Sequence, residues 1–157
     1  MTISGSFAVD PKRSSLEVLA TSSVHPIHIR GRAPEGEFSF RDGVGTGRFV
    51  IPVKSLRGDT PLHDFELRRQ IQARRFPTVE AAVTRLTDGE AEGDITFFGH
   101  AQAARGPISV VERDDELAIT GEAAFDVRTF GFEPPNVLGV KVHPEITVRV
   151  EVVAVRQ

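Results

Sequence analysis

The chain has 157 residues, a net charge of −3, a pI near 6.0, a hydrophobic fraction of 39% and no cysteine. That length suits one well-buried domain spanning residues 1–157, and the mild acidity supplies no global field toward nucleic acid or anionic lipid. The missing cysteines exclude disulfides and thiolate sites, and the absence of an apolar signal-type core or of any apolar run of about 18 residues leads to an expected soluble, cytoplasmic protein with no integral membrane segment.

The elements read in chain order as strands with turn signals between them. After the Asp10-Pro11 turn, Leu16, Val18, Ala20 and Ser22 share one face of a half-buried strand. Phe38 and Phe40 alternate with Glu37, Ser39 and Arg41, and Asp42-Gly43 turns the chain into Gly47 to Val53, where Phe49, Ile51 and Val53 align. Pro52 marks an edge, a bulge or a strand end.

From Asp59 to Pro77 the pattern changes to a helical one. Asp59 or Thr60 can cap a helix, Pro61 suits its first position, and Asp64 and Glu66 complement the positive end of the dipole. Arg68, Arg69, Arg74 and Arg75 fall toward the negative end, and Phe76-Pro77 stops the helix. Leu62 with Phe65 and Leu67 with Ile71 do not form one stripe. A helix touched on two sides, or two short turns, follows. One such insertion in a β chain reads as a lid or plug.

Beyond it, Val79, Ala81 and Val83 share a face, and Asp88-Gly89 turns into a strand whose next face is read as Ile95, Phe97, Gly99 and Ala101. Gly106-Pro107 precedes Ile108 and Val110. Asp114-Asp115 precedes the clearest alternation, Leu117, Ile119, Gly121, Ala123, Phe125 and Val127; Ile146, Val148, Val150 and Val152 repeat it. Roughly eight antiparallel strands in all fit a small closed barrel, with a sandwich as the alternative. The inward sets mix Ala20, Gly99, Gly121 and Ala123 with Phe38, Phe97 and Phe125, which fits either tapered packing or a hollow walled by phenylalanine. With 11 Phe and no Trp or Tyr, such a wall would be dry and would select hydrocarbon.

The blocks FAVDPKRSSLEVLATSSVHPI, GRFVIPVKSL, LHDFELRRQIQARRFPTVEAAVT, FDVRTFGFEPP and HPEITVRVEV, in this order and spacing, resemble the YceI-like, or polyisoprenoid-binding, family, in particular a short branch without a signal peptide. The resemblance runs over nearly the whole chain. It implies an all-β fold, an eight-stranded antiparallel lipocalin-like barrel with one helical insertion over about residues 60–75 near a mouth, and a tunnel that accepts an isoprenoid or another long amphipathic chain. Two segments depart from the family's usual pattern: FFGHAQAARGPISV stands where many members carry a Leu-Thr-Ile-His-Gly-Val-Thr-Lys-like stretch, and HPIHIRG replaces a simpler approach.

Candidate ligand-binding residues are Phe38, Phe40, Phe49, Phe97 and Phe125 along the wall, and Phe65, Phe130 and Phe132 near a mouth. Arg128 joins them as a single charge that can cap the tunnel or pair with Asp126 or Glu133. The four helix arginines can grip a phosphate or form a solvated face, in a chain with 16 Arg and 3 Lys. His25 and His28, three apart on an extended chain with Pro26 between them, face opposite sides, and no metal site or cofactor is expected. No nucleophile elbow, zinc-protease helix or P-loop occurs, so no enzyme and no catalytic residue is expected. The expected function is binding, sequestration or transport of a polyisoprenoid, an isoprenoid quinone precursor or a fatty amide. The alternative is a ligand-free stress or assembly factor acting through protein contacts. A homodimer is compatible with a small barrel, although no stripe marks an interface.

Overall fold

The structure, a computed structural model, describes residues 2–58, 61–134, 136–137 and 140–157. Its strands are β1 Gly5–Val9, β2 Ser15–Ser22, β3 Pro26–Gly31, β4 Glu35–Arg41, β5 Val44–Pro52, β6 Thr78–Leu86, β7 Gly89–Phe97, β8 His100–Arg113, β9 Glu116–Asp126, β10 Asn136–Val137 and β11 Val140–Arg156, with one helix, α1, over Pro61–Gln70. All pairings are antiparallel, in the order β1-β4-β5-β6-β7-β8-β9-β11-β2-β3, and β1 also pairs with β11. That last pairing closes the sheet.

Two interruptions explain how these segments make an eight-stranded barrel. β1 and β2 lie end to end along β11, Ala8 opposite Val155 and Val18 opposite Val148; β4 and β3 lie end to end beside them. The first break falls at Asp10-Pro11, where Asp10 accepts the Lys12 amide at 3.0 Å and the buried Ser14 hydroxyl accepts the Val153 amide at 3.0 Å. The second falls at Ala33, whose φ is 53°, followed by the fully buried Pro34. Proline brings no N–H to a ladder, so both breaks have a local cause.

The turns follow their residues. Asp42 and Gly43 both take positive φ, 52° and 82°, as a two-residue hairpin between right-twisted strands demands. Phe98 and Gly99 do the same at 54° and 75°. This corrects the expectation that Ile95 to Ala101 form one face: β7 ends at Phe97 and β8 begins at His100. Asn-Gly and Asp-Gly signal such a turn from sequence, and Phe-Gly does not. A Cβ on Gly99 would stand 2.6 Å from the Phe76 ring, so glycine also permits that contact.

β5 ends at Pro52, and the chain leaves the sheet through a 3-10 turn, Val53–Ser55. Beyond this point β3 has no strand on its far side among the described residues, apart from the isolated bridge Arg30–Arg57. Val53, Leu56, Leu67 and Ile71 fill the gap, so a folded segment closes the wall there in place of a hydrogen-bonded ladder. Helix α1 is shorter than the expected 60–75: Gln72 turns left-handed, with φ 57°, and residues 71–76 form turns instead. The expected caps Asp59 and Thr60 lie outside the described residues.

The interior has two packed ends. At one, Phe7, Phe38, Phe40, Leu86, Leu117, Ile119 and Ala154 interlock, with the Phe7 and Phe40 rings edge to face at 6.0 Å. At the other, Val53, Leu56, Ile71, Val127 and Phe132 pack beneath the helical segment. No helix of the described residues is long and apolar enough to cross a membrane.

Candidate functional site, an apolar hollow inside the barrel

Between the two packed ends lies a hollow of about 310 Å³. Strand alternation builds its wall: Leu16, Val18 and Ala20 of β2, Ile27 and Ile29 of β3, Val79 and Ala81 of β6, and Ile146, Val148 and Val150 of β11 point into it. Leu56, Leu67 and Ile71 close it from the helical segment. A second hollow of about 430 Å³ lies toward β7, β8 and β9 and shares Phe49, Ile95, Phe125 and Val148 with the first. Small inward residues, Gly93, Ala104, Gly106, Gly121 and Ala123, leave that space open.

The aromatic candidates divide by position. Phe49, Phe97, Phe125, Phe130 and Phe132 line the main hollow. Phe97 sits at the centre of a cluster, 5.8 Å from Phe130 and 5.5 Å from Phe132 in edge-to-face contacts, and Phe98 continues it to Phe132 at 5.3 Å and Phe76 at 5.1 Å. Phe38 belongs to the closed-end core and touches only the second hollow, and Phe40 is buried in that core away from both. The side chain of Phe65 lies outside the described residues.

Arg128 is half exposed and grips Asp126, whose carboxylate accepts from Nη2 at 2.7 Å and Nε at 3.0 Å. Of the alternatives open in the sequence, this pairing is the one formed, and it faces away from the hollow's lining. The hydrogen bonds from Arg128 hold the Asp126 carboxyl below its ordinary range. Asp126 also caps the 3-10 turn Val127–Phe130, which ends at left-handed Gly131 with φ 75°. The turn thereby aims Val127 and Phe130 inward while Arg128 points out.

The helix arginines do not converge on one point. Arg69 pairs with Glu66 at 2.8 Å, and Arg68 instead reaches the carbonyls of Asp64 and Lys54. Polar groups on the hollow are few. Asp64, buried, accepts the Gly58 amide and so ties the chain after the 3-10 turn to the helix. His25 and His143 border the hollow beside the β2–β3 turn: His25 Nδ1 lies 2.8 Å from the Pro26 carbonyl and His143 Nδ1 lies 2.7 Å from the Thr21 hydroxyl. His28 points outward to Glu17 at 3.0 Å, on the face opposite the hollow. Among the described residues, no three His, Asp or Glu side chains gather as metal ligands.

Sequence reasoning named phenylalanines and passed over the aliphatic wall. The signal for Leu16, Val18, Val148 and Val150 was present in the alternation. Ile27 and Ile29 of β3 were hidden because the HPIHIRG segment was weighed for its histidines. Phe76 and Phe98 were missed because one sits beside a proline and the other in a hairpin turn.

A closed antiparallel barrel with one end packed, a folded segment over the other and an apolar space between them defines the lipocalin-like class of small barrels. Within that class, a YceI-like domain matches residues 7–154, and the chain belongs to the YceI-like family. The fold is similar to that of a polyisoprenoid binding domain from Saccharophagus degradans, with a TM-score of 0.83 at 11% identity over 96% of this chain and 98% of that one. It is also similar to BcnA of Burkholderia cenocepacia, with a TM-score of 0.79 at 15% identity over 92% and 98% of the two chains. The YCEI protein of Campylobacter jejuni gives a TM-score of 0.64 at 12% identity over 82% and 84%. No curated protein matches the sequence.

Proposed function

We propose that the whole chain works as one lipid-binding domain that sequesters or carries a long apolar or amphipathic chain, with a polyisoprenoid as the leading candidate. The observation that carries this reading is the apolar hollow of about 310 Å³ left between two packed ends, where a barrel stabilised for its own sake would be filled. Membership of the YceI-like family and the description of the Saccharophagus degradans domain as polyisoprenoid binding add support. Each buried methylene contributes about 0.8 kcal/mol, so about ten of them supply about 8 kcal/mol before association costs are subtracted. Little chemical recognition is then needed along the chain. Asp64, His25 and His143 on the lining offer the polar contacts for a head group. Phe49, Phe97, Phe125, Phe130 and Phe132 serve as walls in this reading, and Arg128 acts by shaping the turn that carries Phe130.

Native mass spectrometry of gently purified protein tests this. A bound mass that matches a long-chain lipid is the expected result. Spectra free of ligand, together with no uptake of polyprenyl or fatty-chain probes, would refute it and favour a ligand-free role in protein contacts.

A further inference from the structure

We propose that the gap between β8 and β9 is a lateral portal through which the tail of the apolar ligand passes into the hollow. This deepens the proposed function and rests on it. The β8–β9 ladder runs from Arg113–Glu116 to Ile108–Gly121 and stops there. β8 continues to His100 with β7 as its partner, and β9 continues to Asp126 with β11 as its partner. Residues 101–107 and 122–126 therefore face each other along the barrel wall with no backbone pairing between them. A β-bulge would resume its ladder after one residue, and this one does not resume.

Pro107 stands where pairing ends and brings no N–H. Small residues stand on both edges, Ala104 and Gly106 on one and Ala123 and Ala124 on the other; a Cβ at Gly106 would just touch Ala123, so the opening lies beyond that pair, toward residues 101–105 and 124–126. Its far end is held by the Gln102 side-chain amide, which donates to the Thr129 carbonyl at 2.9 Å. The outer rim carries four exposed apolar residues, Ala101, Ala103, Pro107 and Ala124, beside two charged ones, Arg105 and Glu122, which pair with Glu90 of β7 and Arg149 of β11. The hollow of about 430 Å³ lies directly behind the gap and is lined by both of its edges. Phe49, Ile95, Phe125 and Val148 join this space to the main hollow. A tail lying in the gap meets methyl groups and backbone along most of its length, and the two charged side chains on its edges, Arg105 and Glu122, are already paired to either side with Glu90 and Arg149.

The chain has no cysteine, which permits a reversible clamp. A Cβ placed on Gly106 lies 4.0 Å from that of Ala123, within the span of about 3.5–4.5 Å that a disulfide bridges. In the double variant Gly106→Cys, Ala123→Cys, stopped-flow exchange of a fluorescent long-chain fatty acid is compared between oxidised and reduced protein. Oxidation is expected to slow uptake and release at least about tenfold, with recovery on adding reductant, because the reduced form is its own reference. Equal rates in the two forms would overturn the portal and leave the lipid-binding function standing. A wild-type protein that takes up no probe would overturn both. Should the double variant fail to fold, Gly106→Leu, whose Cβ meets only the Ala123 Cβ at 4.0 Å, replaces it: slower exchange supports the portal, and unchanged exchange overturns it.

Discussion

Replacing Val148 by phenylalanine tests whether the ligand lies along β11. Val148 sits midway on that strand, opposite Val18 of β2 and Ala123 of β9, and borders both hollows. The exchange adds about four carbon atoms to space that a ligand would otherwise use. If each displaced methylene is worth about 0.8 kcal/mol, the ligand loses about 3 kcal/mol and its Kd rises about 200-fold. The ring enters a void, so the usual overpacking penalty of about 1–3 kcal/mol does not arise and the unliganded protein keeps its melting temperature or gains slightly. Displacement of a fluorescent fatty-chain probe measures the first effect, and scanning calorimetry the second. A Kd equal to that of the wild type would refute the placement of the ligand. A lower melting temperature in the unliganded protein would refute the claim that the space is free.

Leu117→Ala, in the packed closed end, is expected to lower stability by about 2–5 kcal/mol in urea unfolding while the probe's affinity stays unchanged, because Leu117 is fully buried and borders neither hollow. Gly47→Ala places a Cβ against the Glu37 carbonyl and the backbone of Phe38, so β4 and β5 must separate; a loss of about 1–3 kcal/mol in the same assay is expected. In Arg128→Ala the Asp126 carboxyl, now held low by that arginine's hydrogen bonds, titrates nearer the ordinary carboxylate range in an NMR pH series. Because the folded carboxyl is depressed, the pairing stabilises the wild type above the unfolded carboxyl's range and fades as pH falls through the folded one; an unchanged titration would refute the pairing.

The strands with one apolar face were readable because period-2 alternation reports burial on one side of a sheet. β2, β9 and β11 declared themselves this way, and the small inward residues at 121 and 123 already hinted at room behind them. β1 and β3 were not read. Each is short, and β3 mixes Pro26, His28 and Arg30 on its outer face with Ile27 and Ile29 within, so its chemistry distracted from its period. The ending of the β8–β9 ladder could not be seen at all: pairing belongs to two strands at once, and alternation within either one carries no record of where their partnership ceases. The helix was legible as an insertion, but its early end at Gln70 goes with left-handed Gln72, where no glycine announces the turn. Phe40 looked equivalent to Phe49 in the sequence, since both are inward phenylalanines. Depth along the barrel axis separates a core residue from a wall residue, and that is set by register across strands.

Among the described residues β11 is the longest strand, 17 residues, and it pairs with β9, β2 and β1 along its length. It follows every other described strand, yet it joins the first strand to the rest, so the ring of hydrogen bonds cannot close until residues 140–156 have been made. Contacts between such distant parts slow folding, because the entropy of the long intervening loop must be overcome first. Until β11 is in place the sheet has two free edges, and the apolar faces of β2 and β9 that flank it have no ring to enclose them.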